Sequence, residues 1–183
     1  PDGTAVSFTT EGGSIDSFCT TLNGSCSVIW RSQQPRPEGH VLGDFNNIDN
    51  VPEVFNTMGQ KYGGRATILA TAIGEESFPD SNGNGRFDAS EVEAFNGNNI
   101  SGLPYDLKEA FVDHNEDVFY NPGENSSLEQ SGGDLEEFTD FDNNGVFAQN
   151  DGLYNGVLCS EPAHAGCSEN DKSINVRAEL VLI

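Results

Sequence analysis

Asp80-Ser81-Asn82-Gly83-Asn84-Gly85-Arg86-Phe87-Asp88-Ala89-Ser90-Glu91 carries oxygen donors at alternate positions, a glycine at the sixth and a glutamate at the twelfth. That is the pattern D-x-[DN]-x-[DN]-G-x5-E of a twelve-residue calcium loop. The spacing has a physical basis, because calcium takes six to eight oxygens at roughly 2.3–2.6 Å. Asp80, Asn82 and Asn84 offer side-chain oxygens from alternate positions of a tight coil. Gly85 permits the sharp turn. Arg86 offers its backbone carbonyl, Asp88 sits at the often water-bridged ninth position, and Glu91 closes the shell with two oxygens. A polar Asn-Gly turn is the plainer reading, but it does not require every fixed position to match at once.

Two weaker copies follow. The first runs from Asp113 to Glu124, with Asp113, Asn115, Asp117, Asn121 and Glu124 as side-chain donors and Phe119 as the carbonyl donor. Its sixth position is Val118, and a β-branched residue resists positive φ. This copy is therefore expected to turn differently or to be degenerate. The second runs from Asp140 to Asp151, with Asp140, Asp142, Asn144, the Val146 carbonyl and the shorter Asp151 as donors and Ala148 at the ninth position. It is expected to bind more weakly. One to three calcium ions follow. The irregular starts, at 80, 113 and 140, make this a cluster and not a fixed-period array.

Thirty acidic residues against eight basic ones give a formal net charge of −22. That balance excludes a nucleic-acid surface, which needs clustered Lys and Arg, and disfavours anionic membranes. No apolar run is long enough to span a bilayer, so direct membrane insertion is not expected. The chain begins at Pro1 without Met, which reads as an excised or processed piece. Cys19 with Cys26 and Cys159 with Cys167 form two close pairs, read as disulfides of an oxidising compartment. The alternative for the second pair is a metal site with His164, which offers only three neighbouring ligands.

Outside the loops the pattern is β. Thr4–Thr10, Ser25–Arg31, Arg65–Ile73 and Ser173–Ile183 alternate with period two. Such strands need a partner layer, and a two-sheet sandwich is the economical answer. Helical spacing is expected over Ala89–Phe95 and Asp106–Val112, with a helical turn at Asp134–Phe138 and a short helix over Pro52–Met58. The long connection Ser32–Gly64 is unusual inside a domain and often functional. The segment Pro79–Gly156 is read as poor in large apolar residues and dependent on calcium for its order.

The segments Asp2–Gly13, Gly24–Trp30 and Gly64–Ala72 resemble bacterial Ig-like repeats of the invasin and intimin type. They show the pattern G-x-x-V-x-F-x-x-x-x-G, then a Gly-led strand, then G-x-A-x-[IV]-x-A. The resemblance covers residues 1–73 and the final strand. It implies an extracellular, cell-surface or periplasmic β-sandwich that serves as a spacer or adhesive module. The implied organisation is a sandwich of residues 1–78 and 157–183 interrupted by a calcium-binding segment, 79–156. The loops resemble EF-hand and dockerin-type loops without their full helix pairing. Family members carry a strand before the segment that starts at Pro1, so an open sheet edge is expected near Thr4–Thr10, available for self-association.

No nucleophile elbow, zinc-protease pair or phosphate loop occurs, and a non-catalytic module is expected. His114 falls at a non-ligand position of its loop and is expected to be solvated. A protein or glycan ligand held by the 32–64 connection or by the calcium-ordered insert is the alternative role. A calcium sensor is a third.

Overall fold

The structure is a computed structural model and describes residues 1–36, 64–114, 116–120, 122 and 136–183. The 32–64 connection, with its expected helix at 52–58, falls almost wholly outside the described residues.

Along strand β1 (Ala5–Thr10) exposed and half-buried side chains alternate, as the period-two pattern predicts. It pairs antiparallel with β3 (Phe18–Thr20) through Ala5↔Thr20, Val6↔Cys19 and Ser7↔Phe18. On its other side it pairs antiparallel with β5 (Ala66–Gly74), from Ser7↔Thr71 to Thr10↔Ile68. With β6 (Ile174–Leu182) the order is β3-β1-β5-β6. The open edge expected at Thr4–Thr10 is therefore not there, because Phe18–Thr20 folds back and takes those hydrogen bonds.

A second, two-stranded sheet joins β2 (Ser14–Ile15) and β4 (Trp30–Arg31). The strand expected over Ser25–Arg31 shrinks to these last two residues. Asn23 and Gly24 take positive φ, and Leu22 N–H donates to Ser25 O at 2.9 Å. That tight turn, closed by the Cys19–Cys26 disulfide, leaves Cys26 in the reversal and not in a strand. Gly13 is required by close approach: a Cβ there would stand 2.5 Å from Arg31 O and 2.9 Å from the Trp30 ring.

The chain divides into two compact units. The first is Pro1–Thr71, Phe111–Phe138 and Arg177–Ile183; the second is Ala72–Ala110 and Thr139–Val176. This differs from the expected division at 78/79 and 156/157, because the second loop goes with the strands. Within the first unit the reason is visible. Arg65 on the approach to β5 grips Glu116 with two bonds, Nε to Oε1 at 2.6 Å and Nη2 to Oε2 at 2.7 Å. Thr67 Oγ1 donates to the Asp113 carbonyl at 3.3 Å. His114 Nδ1 lies 2.5 Å from Glu11 Oε1, with side chains 8 % and 3 % exposed. His114 is thus buried against a carboxylate and not solvated as expected. Phe111, Tyr120 and Phe138 stack edge-on in the same unit.

The second unit holds a close-packed aromatic core. Phe87, Phe95 and Tyr154 are fully buried, with Phe78, Val92 and Tyr105 packed against them. The segment read as poor in large apolar residues thus buries a few large rings, each carrying a large apolar area. The helical reading of Ala89–Phe95 holds, as a 3-10 turn (Ala89–Glu91) followed by α1 (Val92–Phe95). The one over Asp106–Val112 does not. There the backbone bonds outward: Leu107 N–H to Glu76, Glu109 N–H to Ala148 O and Val112 N–H to Glu137 O. Donors committed to distant acceptors cannot close a helical turn. Of the turn expected at Asp134–Phe138, residues 134 and 135 lie outside the described residues, and Phe138 forms a bridge with Phe111.

Candidate metal centres

Each calcium-type loop is built from short-range bonds that its own residues dictate. In the first, Asp80 Oδ1 accepts Asn84 N–H at 3.0 Å and Asp80 Oδ2 accepts Gly85 N–H at 2.8 Å. Asn82 Oδ1 accepts Asn84 N–H at 2.9 Å, and Asn84 Oδ1 accepts Arg86 N–H at 2.7 Å. Gly85 takes φ +73°, the left-handed region that glycine adopts freely. The amides of Asn82 and Asn84 both donate to Asp88 Oδ2, at 2.8 and 2.7 Å. These two bonds hold the Asp88 carboxyl below its ordinary range. Arg86 sends its side chain away, to the Cys159 carbonyl at 3.2 Å.

Glu91 closes this loop. Its side chain is buried, 1 % exposed. Oε1 accepts the N–H of Ser81, the second position, at 2.6 Å, and Oε2 accepts the N–H of Asp88, the ninth, at 3.0 Å. One carboxylate thus pins both ends of the coil. Between those positions Phe87, the eighth, turns into the core and bridges Cys159: its N–H donates to Leu158 O and its carbonyl accepts Ser160 N–H.

The third loop repeats the inner bonds. Asp140 accepts Asn144 and Gly145 N–H at 3.1 and 2.8 Å, and Asp142 Oδ1 accepts Asn144 N–H at 3.1 Å. Asn144 Oδ1 accepts Val146 N–H at 2.6 Å. The carboxylate that ties the second position to the ninth is not the expected Asp151 but Glu109, 3 % exposed. Glu109 Oε1 accepts the N–H of Phe141, the second position, at 2.7 Å, and Oε2 accepts that of Ala148, the ninth, at 2.9 Å. Glu109, Asp140 and Asp142 bring carboxylate oxygens within 4.8 Å of one another. Ala148 offers only its backbone at the ninth position.

The second loop turns as the first does, against expectation. Val118 takes φ +65°, and its N–H reaches Asp113 Oδ2 at 2.7 Å. Asp113 Oδ1 accepts Asp117 N–H at 3.1 Å, and Asp117 Oδ1 accepts Phe119 N–H at 2.8 Å. Burial pushes the Asp113 carboxyl up. The second-position N–H, from His114, goes to buried Glu136 at 3.1 Å. Asn115, Asn121 and Glu124 lie outside the described residues. Glu109 and Glu136 escaped the sequence reading because they stand outside the twelve-residue windows.

The cysteines are paired as expected, Cys19 with Cys26 and Cys159 with Cys167. The second bond consumes the sulfurs that the alternative site with His164 needed as thiolates. His164 Nε2 instead lies 3.1 Å from the Phe87 carbonyl. No helix among the described residues is long and apolar enough to cross a membrane. No family model, no curated protein and no solved structure matches this chain significantly.

Proposed function

We propose that this chain is a non-catalytic, calcium-stabilised module with an Ig-like layout, part of a bacterial cell-surface or secreted protein, in a spacer or adhesive role. The observation that carries the calcium reading is the shared construction of the loops. An aspartate caps the turn, alternate oxygens line the coil, and a buried glutamate ties the second position to the ninth in loops one and three. Hard oxygen donors in a flexible ring suit calcium better than a transition metal. The two sheets support a sandwich layout, and the two disulfides support an oxidising location. The net charge of −22 also favours a role in which cations relieve crowding of carboxylates.

The affinity class is that of extracellular modules, about 10⁻⁴–10⁻³ M. At a hundredfold excess over Kd, one ion adds about 2.7 kcal/mol of stability. For a chain of this size that raises Tm by about 5–10 °C per ion. Thermal melting in about 10–100 mM calcium, the hundredfold excess over that Kd, and in EGTA tests the reading, and equal midpoints overturn it. A sensor would expose apolar surface on binding. A structural role predicts no gain in exposed apolar surface when calcium is added, read by binding of an apolar dye with and without the ion.

A further inference from the structure

Asp151, displaced from the third loop by Glu109, has a different set of neighbours. Its Oδ1 accepts Leu153 N–H at 2.8 Å, the bond that Asn84 makes to Arg86 N–H in the first loop. Gly152 follows with φ +77°, as Gly85 follows Asn84. The N–H of Gly152 does not return to a nearby aspartate. It donates to Asp106 Oδ2 at 2.8 Å, across a sequence separation of 46. The N–H of Leu107, the residue after Asp106, goes to Glu76 Oε1 at 2.6 Å. The N–H of Asn155 goes to Glu76 Oε2 at 2.7 Å. Asp106 and Leu107 therefore hold the first and second positions of a loop, Asp151 to Asn155 hold the fifth to ninth, and Glu76 holds the place of Glu91. Tyr154 is the aromatic at the eighth position and bridges Cys167 as Phe87 bridges Cys159.

A second observation, independent of these bonds, points to a ligand. Among the described residues two buried side-chain oxygens have no hydrogen-bond partner, Asp106 Oδ1 and Asn155 Oδ1. They belong to the first and ninth positions, where a cation draws side-chain oxygens. Asp106 is 5 % exposed, and a buried carboxylate oxygen with no donor is costly. We propose that Asp106, Asp151, Asn155, Glu76 and the Leu153 carbonyl form a fourth calcium site, assembled from three separate segments of the chain. The metal supplies what the two orphaned oxygens lack, and it offsets the repulsion among Glu76, Asp106 and Asp151. Oxygen-only donors, three of them carboxylates, select a hard divalent cation.

This inference rests on the calcium reading of the loops but is separable from it. Bound calcium per chain is counted by native mass spectrometry for the wild type, Asp106→Asn and Glu91→Gln. Each variant is expected to lose one ion and to retain the other's. An unchanged count in Asp106→Asn overturns the fourth site and leaves the first loop standing. An unchanged count in Glu91→Gln overturns the first loop and leaves this site. A wild type without calcium overturns both. Should Asp106→Asn fail to fold, anomalous density in calcium-grown wild-type crystals decides. A peak bonded to Asp106 Oδ1 and Asn155 Oδ1 supports the site, and its absence beside a filled first loop sinks it.

Discussion

Loops one and three share a coil and differ in the residue that closes it, as well as in the ninth position, Asp88 in one and Ala148 in the other. Both turn on an aspartate that caps a glycine N–H at 2.8 Å, and both carry alternating oxygens on the coil. In loop one the glutamate that ties the second position to the ninth comes from the same twelve residues. In loop three it comes from Glu109, upstream across a sequence separation of 32. The lesson is that a calcium-type loop consists of two independent pieces. The coil is made by hydrogen bonds spanning two to five residues. The closing carboxylate needs only to arrive at the right place, so any segment that packs there can supply it.

The sharpest break of the comparison is Glu91→Ala. It orphans the N–H groups of Ser81 and Asp88 and, under the proposed calcium reading, removes the closing ligand. The expected loss is about 3 kcal/mol or more, read by urea melts in calcium. Next comes the exchange of closing residues at loop three. Glu109→Gln is expected to weaken calcium there about tenfold, or about 1.4 kcal/mol. Asp151→Asn should leave that site filled, its own effect falling on the proposed fourth site. Anomalous density between Asp140 and Asp142 in calcium-grown crystals decides: a peak kept in Glu109→Gln and lost in Asp151→Asn would restore Asp151 as the closing residue.

A smaller effect sharpens the comparison with loop two. Val118 holds a left-handed φ that costs an L-residue roughly 1–2 kcal/mol. Val118→Gly removes that strain and adds unfolded-state entropy of about 0.5–1 kcal/mol. The net expectation is a modest gain in stability, seen as a raised Tm; a lowered Tm would place the valine's worth in its contacts. The smallest effect lies far from the loops. The Arg31 side chain, with help from the Ile29 N–H, holds the exposed Asp16 carboxyl below its ordinary range. Its contribution is present above the ordinary value of 3.8 and fades as pH falls through the lowered one. Tm curves of Asp16→Asn and wild type should therefore differ slightly at pH 6 and converge at low pH.

The strands at Thr4–Thr10, Arg65–Ile73 and Ser173–Ile183 were legible because side-chain patterning is a local signal, although only β1 keeps the alternation in its burial; Ala66 to Leu69 of β5 are all buried and β6 does not alternate either. Phe18–Thr20 was not, since its partner β1 is set by the reversal after Gly13 and not by its own three residues. The helix expected at Asp106–Val112 failed for a related reason. Leu107 and Phe111 have helical spacing, but the backbone donors around them belong to Glu76, Ala148 and Glu137. A signal for the proposed fourth site was present. Asp151-Gly152-Leu153-Tyr154-Asn155 repeats the form of Asn84-Gly85-Arg86-Phe87-Asp88. It went unread because its first aspartate lies in another segment.

What the sequence determined on its own is the coil of loops one and three. Aspartate, asparagine and glycine at fixed short spacing reach one another whatever the rest of the chain does. Only the tertiary structure decided which glutamate closes which coil, and that Asp106 and Asp151 share one. Those bonds join residues far apart in the chain, across sequence separations of 31 to 79, which no local spacing encodes.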